Sequence, residues 1–410
     1  MSASKGESAY DLAVAMNYGY SAGSPQVLRF VTEHVELVHN PPYEDWECCL
    51  SCGTTSAVDI AFRILCNPGD TVLVEKYSYS GTMSCATAQG LRTLGIEMDN
   101  LGLLPDDLDQ KFENWDCGGG EKPFVLYMIP TGQNPTGTTQ SLQRRKAIYE
   151  MAERHDLYIL EDDPYYFLQL HHAASGTTNK QVNGLETAEE YINSLPASYL
   201  SMDTSGRVLR MDTTSKILAP GLRFGWVAGC AQIIEKFVNY SEVGVLCPSG
   251  PSQVMVYKLL DETWGHEGFF GWLRSLSAQY RCRRDCMVEA CKRYLPPNLC
   301  RWRVPEGGMF LWIQIDTSGL SESQRGESRA SCLDIEDRIY KRAHDNGVLI
   351  SKGSWFNSVV DPTDEIHFRL AFAAAPVKEL AEAVQRFAVA VRSEMLQYQS
   401  LHEKDGGAGE

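Results

Sequence analysis

The chain has 410 residues, of which 43% are hydrophobic and 22% charged, as in ordinary globular proteins. Its 53 acidic and 37 basic side chains give a formal net charge of −16, which argues against a nucleic-acid-binding protein and favours a cytoplasmic enzyme. We find no run of about 18 apolar residues that would predict a membrane span. The length favours two domains.

The cysteines are the first candidates for chemistry. Their number, 13, is odd, and the N-terminus lacks an apolar signal core, so we expect mostly free thiols. Cys48, Cys49 and Cys52 lie close together, but no second Cys or His pair follows at the spacing of a zinc site. Because Cys48 and Cys49 lie in an apolar run, we interpret them as small hydrophobic residues of a buried strand and expect no metal.

Short apolar runs alternate with helical patterns from residue 46 to about residue 230. Buried strands are predicted over 46–51, 71–75, 124–129, 157–161, 208–211 and 224–228, and helices over 56–65 and 141–155. This alternation is typical of an α/β domain with a largely parallel sheet. In such sheets, ligands bind at the carboxyl ends of the strands.

The remaining chain differs in pattern. Residues 171–205 are polar and rich in Ser, Thr and Asn, with a short acidic helix over 186–194, and they predict an exposed insertion. After a long helix over 264–294, strands are predicted over 310–315, 348–351 and 367–372, and a helix over 377–396. We therefore predict an N-terminal segment (1–30), a large α/β domain (31–263), a smaller α+β domain (264–398) and a disordered tail (399–410).

Residues 213–226 carry the strongest chemical signal. Lys216 follows three hydroxyl residues, and Arg223 comes seven positions later, behind a Pro-Gly turn. Burial would leave Lys216 as a nucleophilic amine that can form a Schiff base with an aldehyde, and Arg223 suits a phosphate. Pyridoxal phosphate (PLP) carries both groups. Because Ser351-Lys352 repeats the Ser-Lys dipeptide without these neighbours, the rest of the chain must decide.

Two earlier strands end at residues that suit a phosphate and a ring. Thr54 and Thr55 follow Gly53 at the start of a helix, where free N–H groups bind anions, although ordinary helix capping explains these threonines equally well. Tyr79 follows the strand over 71–75. Its ring would stack on a flat heteroaromatic cofactor or pack in the core.

Two later strands end at polar residues. Residues 130–137, Pro-Thr-Gly-Gln-Asn-Pro-Thr-Gly, form a constrained loop that would present the amide of Asn134, unless the asparagine serves only the turn. Asp162 would pair with a pyridinium nitrogen, and Tyr165 would donate a hydrogen bond to a ring oxygen. The alternative is a simple acidic turn before Pro164.

In this order, the motifs resemble those of fold-type I PLP-dependent aminotransferases of classes I and II. The resemblance is greatest to fungal aromatic amino acid aminotransferases and to kynurenine/2-aminoadipate aminotransferases, and it extends from about residue 17 to residue 387. The matching stretches are Tyr18-Gly-Tyr-Ser-Ala-Gly, residues 130–137, Glu161-Asp-Asp-Pro-Tyr-Tyr, Thr214-Ser-Lys with Pro220-Gly-Leu-Arg, and Gly307-Gly-Met-Phe.

The resemblance implies a fold and a set of roles. The fold would have a mainly parallel seven-stranded sheet in the large domain and a smaller α+β domain. Lys216 would be the Schiff-base lysine and proton shuttle, Asp162 would hold the pyridine nitrogen, and Tyr79 would stack on the ring. Tyr165 and Asn134 would bind the ring 3-oxygen.

The resemblance also implies the remaining contacts. Thr54, Thr55, Thr213 and Arg223 would bind the cofactor phosphate. Arg369, assisted by Asn134, would bind the α-carboxylate of the substrate. Tyr18 would reach the site of the neighbouring subunit, which implies a homodimer.

The implied activity is transfer of the amino group of an aromatic or bulky apolar L-amino acid to a 2-oxo acid, with 2-oxoglutarate as the favoured acceptor. Alternatives are another PLP chemistry, such as a β-lyase or a step in secondary metabolism, and a non-catalytic PLP-binding paralogue. Members of this family carry a longer segment before the stretch that matches Tyr18. Since about 17 residues precede it here, we expect either a truncated gene model or a variant with an open substrate pocket.

Overall fold

The computed structural model describes residues 10–115, 121–170, 187–316, 329–358 and 365–405. The start of the predicted N-terminal segment, the first part of the predicted insertion (171–186) and the last five residues of the predicted tail lie outside the described residues. None of the described helices is both long enough and apolar enough to span a membrane.

Two sheets and a short hairpin contain all the strands of the described chain. These strands are β1 (Trp46–Ser51), β2 (Thr71–Glu75), β3 (Arg92–Ile96), β4 (Met98–Asp99), β5 (Gly102–Leu103), β6 (Val125–Met128), β7 (Tyr158–Asp162), β8 (Val208–Thr213), β9 (Gly225–Cys230), β10 (Cys300–Trp302), β11 (Phe310–Ile315), β12 (Ser351–Lys352) and β13 (Ile366–Ala371).

The larger sheet has seven strands in the order β1-β9-β8-β7-β6-β2-β3. β9 is antiparallel to both of its neighbours, and the other four pairs are parallel. Every residue of β2 and of β6 is buried, as expected for parallel strands covered on both faces. The prediction of a mainly parallel seven-stranded sheet is confirmed.

Helices separate most of these strands along the chain. The helices are α1 (Leu12–Ala15), α2 (Pro25–His39), α3 (Thr54–Leu65), α4 (Ser80–Ala88), α5 (Pro105–Glu113), α6 (Leu142–His155), α7 (Ala188–Ser194), α8 (Ala231–Val243), α9 (Gly250–Tyr257), α10 (Gly265–Tyr294), α11 (Arg329–Asp345) and α12 (Val377–Asp405). A π-helical turn (Lys258–Trp264) joins α9 to α10, and 3-10 turns occur at Leu200–Met202, Pro220–Leu222 and Gly353–Phe356.

Local sequence explains where α6 begins and ends. The side chain of Ser141 accepts a hydrogen bond from the backbone N–H of Arg144 at 3.2 Å, which caps the first turn. Asp156, with φ of +55°, ends the helix in the left-handed conformation. The predicted helix over 141–155 therefore includes its own capping residue.

The smaller sheet is antiparallel, with strand order β10-β11-β13-β12. α10 and α11 contact α12, and Arg283 of α10 donates a hydrogen bond to the carbonyl of Phe372, directly after β13. The strand predicted over 348–351 is wrong in position, because only Ser351 and Lys352 pair with β13. Val348 and Ile350 are buried without joining the sheet, which explains the misleading apolar pattern.

A short stretch in the later part of the predicted insertion is buried. Tyr199 and Leu200 are fully buried, and their backbone N–H groups donate to the carboxylate of Glu161 at 2.9 and 3.2 Å. The prediction of exposure was wrong here because the polar composition of the segment concealed a short apolar stretch that covers a buried acid.

The buried histidine His34 makes the fold sensitive to acid. Aromatic rings surround it on α2, and neither of its ring nitrogens has a hydrogen-bond partner among the described residues. Burial lowers the pKa of His34 to about 3. As the pH falls, the His34 imidazole is therefore protonated in the unfolded chain before it is protonated in the folded one. The stability that His34 contributes above about pH 6.5 is lost progressively as the pH falls toward 3.

We expect His34→Leu to reduce this acid sensitivity. Between pH 7.5 and pH 5 the wild-type protein should lose about 2 kcal/mol more unfolding free energy than the variant, since one fewer group takes up a proton on unfolding. Urea unfolding at both pH values would measure the difference. His344→Leu, at a histidine with 61% of its side chain exposed, is the control. Equal pH dependence of wild type and His34→Leu would contradict the expectation.

Candidate active site

The predicted site residues lie at one edge of the larger sheet. β1, β2, β6, β7 and β8 all run in the same direction, because β1 and β8 are each antiparallel to β9. Their carboxyl ends therefore share an edge. Asp162 is the last residue of β7, and the segments that follow β1, β2, β6 and β8 carry Thr54, Tyr79, Asn134 and Lys216.

The three acidic side chains at the end of β7 point alternately to opposite faces of the sheet. Glu161 forms an ion pair with Arg210 at 3.0 Å, and Asp163 accepts a hydrogen bond from the Thr131 hydroxyl at 2.9 Å. Asp162, between them, projects from the opposite face, where it accepts a hydrogen bond from Tyr127. One of three adjacent acids is thereby directed away from the buried arginine.

Asp162 is a buried carboxylate that is only partly satisfied. Burial raises its pKa to about 6, while hydrogen bonds from Tyr127 and Thr54 and the positive charge of Lys216 oppose that rise. Tyr127 Oη donates to Asp162 Oδ2 at 2.6 Å, but Oδ1 has no partner within the described part of the chain. Because buried polar atoms are normally paired, Oδ1 fits a donor supplied by a ligand.

Lys216 is half-buried in the turn that follows β8. Burial lowers the pKa of its amine, and the nearby charges of Arg369 and Arg223 lower it further, although Asp162 opposes them. Burial and the two arginine charges thus increase the fraction of neutral amine. The neutral amine is the form that attacks a carbonyl carbon.

Arg223 and the start of α3 form a cradle for an anion. Arg223 has φ of +48°, and its guanidinium donates to the carbonyls of Cys52 and Pro220 at 3.1 and 2.9 Å. Gly53 lies against it, since a Cβ there would come 2.7 Å from Arg223 Nη2. The hydroxyls of Thr213 and Ser215, 2.9 Å apart, complete the cradle.

Arg369 brings the smaller sheet to the site. From β13 its guanidinium donates to Asn134 Oδ1 at 2.7 Å and to Ser351 Oγ at 3.0 Å. The rings of Phe310 and Phe356 lie 4.4 and 4.7 Å from the guanidinium carbon. Its Nε is buried and has no partner in the described chain. The arrangement holds a cation in place and leaves it able to bind a carboxylate.

Two tyrosines lie between these groups. Tyr165 is buried, hydrogen-bonds to Asn134 and contacts the ring of Phe310 edge-on at 5.6 Å; burial raises its pKa, so it is present as the neutral phenol. Tyr79 precedes α4, and its ring lies directly over Gly81, where a Cβ would come within 2.6 Å of it. Gly81, which has no side chain, thus makes room for the ring.

Two predicted residues are exposed in the single chain. Tyr18 is 94% exposed, and no hydrogen bond or ring contact joins it to the site in the described chain. Thr55 is exposed on the first turn of α3. A single chain therefore brings together Thr54, Tyr79, Asn134, Asp162, Tyr165, Thr213, Lys216, Arg223 and Arg369.

The structure adds residues that the sequence did not single out. Tyr127 looked like core, because it lies in a fully buried strand. Ser351 was set aside with Lys352 as an uninformative dipeptide, yet it binds Arg369. Gln133, next to Asn134, donates to Glu75 Oε2 at 3.0 Å and to the carbonyl of Tyr77 at 2.6 Å. The strict turn pattern of residues 130–137 was a usable signal for Gln133.

Comparison with known proteins shows the family of the chain. The family model described as aminotransferase class I and II matches residues 5–387. The chain belongs to this family. This aminotransferase is 50% identical to aminotransferase swnA of Arthroderma benhamiae, over 96% of this chain and 79% of that one. It is 42% identical to an aromatic amino acid aminotransferase of Schizosaccharomyces pombe, over 92% and 79%.

Solved structures show the same fold. The aminotransferase is similar to aminotransferase Aro8 of Candida albicans, with a TM-score of 0.86 and 37% identity over 94% of this chain and 80% of that one. It is also similar to the kynurenine aminotransferase of Pyrococcus horikoshii, solved in complex with PMP and KYN, with a TM-score of 0.77 and 26% identity over 93% and 83%. The family and its cofactor-bound structures imply PLP.

We expect Gly53→Ala to destabilise the protein by about 1–3 kcal/mol, because φ of +90° strains any L side chain and the added Cβ meets the Arg223 guanidinium. Denaturant unfolding measures the change. Gly221→Ala is the matched control: no atom lies within 4 Å of its Cβ, and we expect a change within about 0.5 kcal/mol. Equal stability of the two variants would show that the cradle tolerates a side chain at residue 53.

Proposed function

We propose that this aminotransferase binds PLP and transfers the amino group of an aromatic or other bulky apolar L-amino acid to a 2-oxo acid, with 2-oxoglutarate as acceptor. The observation that carries the proposal is one cluster at one sheet edge. A half-buried lysine with a lowered pKa, a buried acid with a free oxygen and an arginine paired with an asparagine meet there.

The residues present fit PLP at both of its ends. The free Oδ1 of Asp162 suits the protonated ring nitrogen, and the cradle of Arg223, Thr213 and the start of α3 suits the phosphate. When bound, PLP supplies an aldehyde carbon for Lys216 and a ring that withdraws electrons from the substrate Cα.

Each side chain has a definite task in this proposal. Asp162 keeps the ring nitrogen protonated, Tyr165 and Asn134 bind the ring 3-oxygen, and Tyr79 stacks on the ring. Phosphate binding falls to Thr54, Thr55, Thr213 and Arg223. Lys216 would remove the proton from the substrate Cα as general base and, as general acid, deliver it to the carbon that the PLP aldehyde supplies.

Arg369 selects amino acids and oxo acids over simple amines, because its guanidinium binds a carboxylate in two-point fashion. Asn134 and Ser351 fix its orientation on one side, and Phe310 and Phe356 shield it from water. These rings, together with Tyr79 and Tyr165, form an aromatic wall beside the carboxylate site. That wall and the names of the relatives support an aromatic or bulky apolar substrate.

We also propose a homodimer. α1 packs against the start of α9, where a Cβ at Gly250 would overlap the carbonyl of Ala15. Around this contact, apolar side chains remain exposed; they are Leu12, Val14, Met16, Tyr18, Tyr20, Val243, Val245 and Met255. A second copy would cover them, and Tyr18 would then be placed to reach the partner's site.

The described cysteines are all free thiols, which supports a reducing compartment such as the cytoplasm.

Lys216→Ala tests the chemistry. The wild-type protein with PLP should show a long-wavelength absorbance band that changes on addition of L-phenylalanine, and 2-oxoglutarate should restore it. We expect the variant to lose the band and to show kcat reduced by about 10²–10⁴-fold or more, because no general base remains at Cα.

Lys352→Ala is the matched control, since it has the same Ser-Lys sequence but its amine binds Asp337 at 2.5 Å. It should retain both the band and the activity. Binding of PLP without any response to amino acids would overturn the proposed transamination, and failure to bind PLP at all would overturn the cofactor.

Val243→Glu tests the dimer. Its side chain is 83% exposed in the single chain, and a buried carboxylate at an interface would weaken association. We expect sedimentation equilibrium to give twice the 45.8 kDa chain mass for wild type and a lower average mass for the variant at the same concentration. Val389→Glu, at an exposed valine of α12, should leave the mass unchanged. A monomeric wild-type protein would contradict the proposal.

A further inference from the structure

The two oxygens of Asp162 have different environments. Oδ2 accepts the 2.6 Å hydrogen bond from Tyr127, whereas Oδ1 is buried without a partner in the described chain. Tyr127 lies on β6, the strand next to β7, and its side chain is fully buried. The carboxylate is therefore held by one oxygen and free at the other.

The chemistry of the two groups fixes the direction of the Tyr127 hydrogen bond. A phenol has one proton to donate, and an ionised carboxylate can only accept. Tyr127 therefore donates to Oδ2 of Asp162, and this hydrogen bond is buried.

The arginines of the core do not serve Asp162. Arg210 binds Glu161, Asp163 and Asp212, and Arg145 lies 4.0 Å from Glu161, all on the opposite face of β7. On the face of Asp162 the groups that favour its ionised form are Tyr127, Thr54 and Lys216. In the proposed function Lys216 carries the proton and Thr54 binds the phosphate, whereas Tyr127 has no other task. Its 2.6 Å hydrogen bond therefore makes Tyr127 the permanent support of the carboxylate.

We propose that Tyr127 is a positioning residue, whose hydroxyl holds Oδ2 of Asp162 so that the ionised carboxylate presents Oδ1 to the ring nitrogen of the cofactor. This inference rests on the proposed function, because it gives Asp162 a cofactor to hold. It assigns a role in the site to a tyrosine that would otherwise be classed as a residue of the hydrophobic core.

Tyr127→Phe removes the hydroxyl and keeps the ring. We expect the affinity of the apoprotein for PLP to fall about tenfold, as for loss of one hydrogen bond to a charged group. The long-wavelength absorbance of the bound cofactor should also change, because the ring nitrogen loses its proton more readily. Tyr158→Phe, on neighbouring β7 with its hydroxyl 3.8 Å from Cys230 Sγ, is the control and should match wild type.

A double-mutant cycle with Asp162→Asn separates positioning from a structural effect. If Tyr127 acts through Asp162, Tyr127→Phe should have no further effect on PLP affinity or spectrum once residue 162 is an amide. If it acts on the fold, the loss should be the same in both backgrounds. Equal losses, or a Tyr127→Phe variant with wild-type affinity and spectrum, would overturn the inference.

The outcomes also separate this inference from the proposed function. If the wild-type protein binds PLP and transaminates, and Tyr127→Phe has the same PLP affinity and spectrum, the proposed function is supported and the role of Tyr127 is wrong. Wild-type protein that does not bind PLP removes both. Circular dichroism of each variant should match wild type, and thermal unfolding should show no more than the modest loss of stability expected when one buried hydrogen bond is removed. A marked loss of fold in Tyr127→Phe alone would count against a positioning role.

Discussion

The guanidinium of Arg210 binds carboxylates on two adjacent strands inside the core. It forms a two-point pair with Asp212 at 2.8 and 2.9 Å and a 3.0 Å pair with Glu161, and the ring of Tyr166 lies over it at 4.5 Å. Removal of one partner from such a buried pair typically costs about 3–5 kcal/mol, since the remaining charge has no water. β7 and β8 are thereby fixed in register where both of them deliver site residues.

This constraint explains how one acid of a run of three is reserved for a ligand. Glu161 and Asp163 lie on the face of Arg210, and strand alternation turns Asp162 to the opposite face. There it meets Tyr127 and the start of α3, and one of its oxygens stays free. An ion-pair network that does not itself contact the site therefore decides which of the three carboxylates is available to a ligand.

The carboxylate-binding part of the site depends on contact between the two sheets. Arg369 belongs to the smaller sheet and Asn134 to the loop after β6, yet they share a 2.7 Å hydrogen bond. The rings of Phe310 and Phe356 add apolar packing around the same guanidinium. A change in the relative position of the sheets would therefore alter Arg369 first, while Asp162 and Lys216 would keep their places on the larger sheet.

The sequence by itself determined the α/β class and the strand ends that carry Asp162, Asn134 and Lys216, because these depend on hydrophobic periodicity and on short, rigid turns. It indicated the family through the resemblance of its motifs. Only the tertiary structure showed the donor to Asp162 Oδ2, the serine on Arg369 and the burial of Tyr199 and Leu200. Tyr127, Ser351 and residues 199–200 carry no local signal, since a buried tyrosine, a Ser-Lys dipeptide and a polar segment occur in many settings. The partners of Tyr127, Tyr199 and Leu200 lie between 35 and 39 residues away along the chain, and the partner of Ser351 lies 18 residues away. Only folding brings those partners within hydrogen-bonding distance.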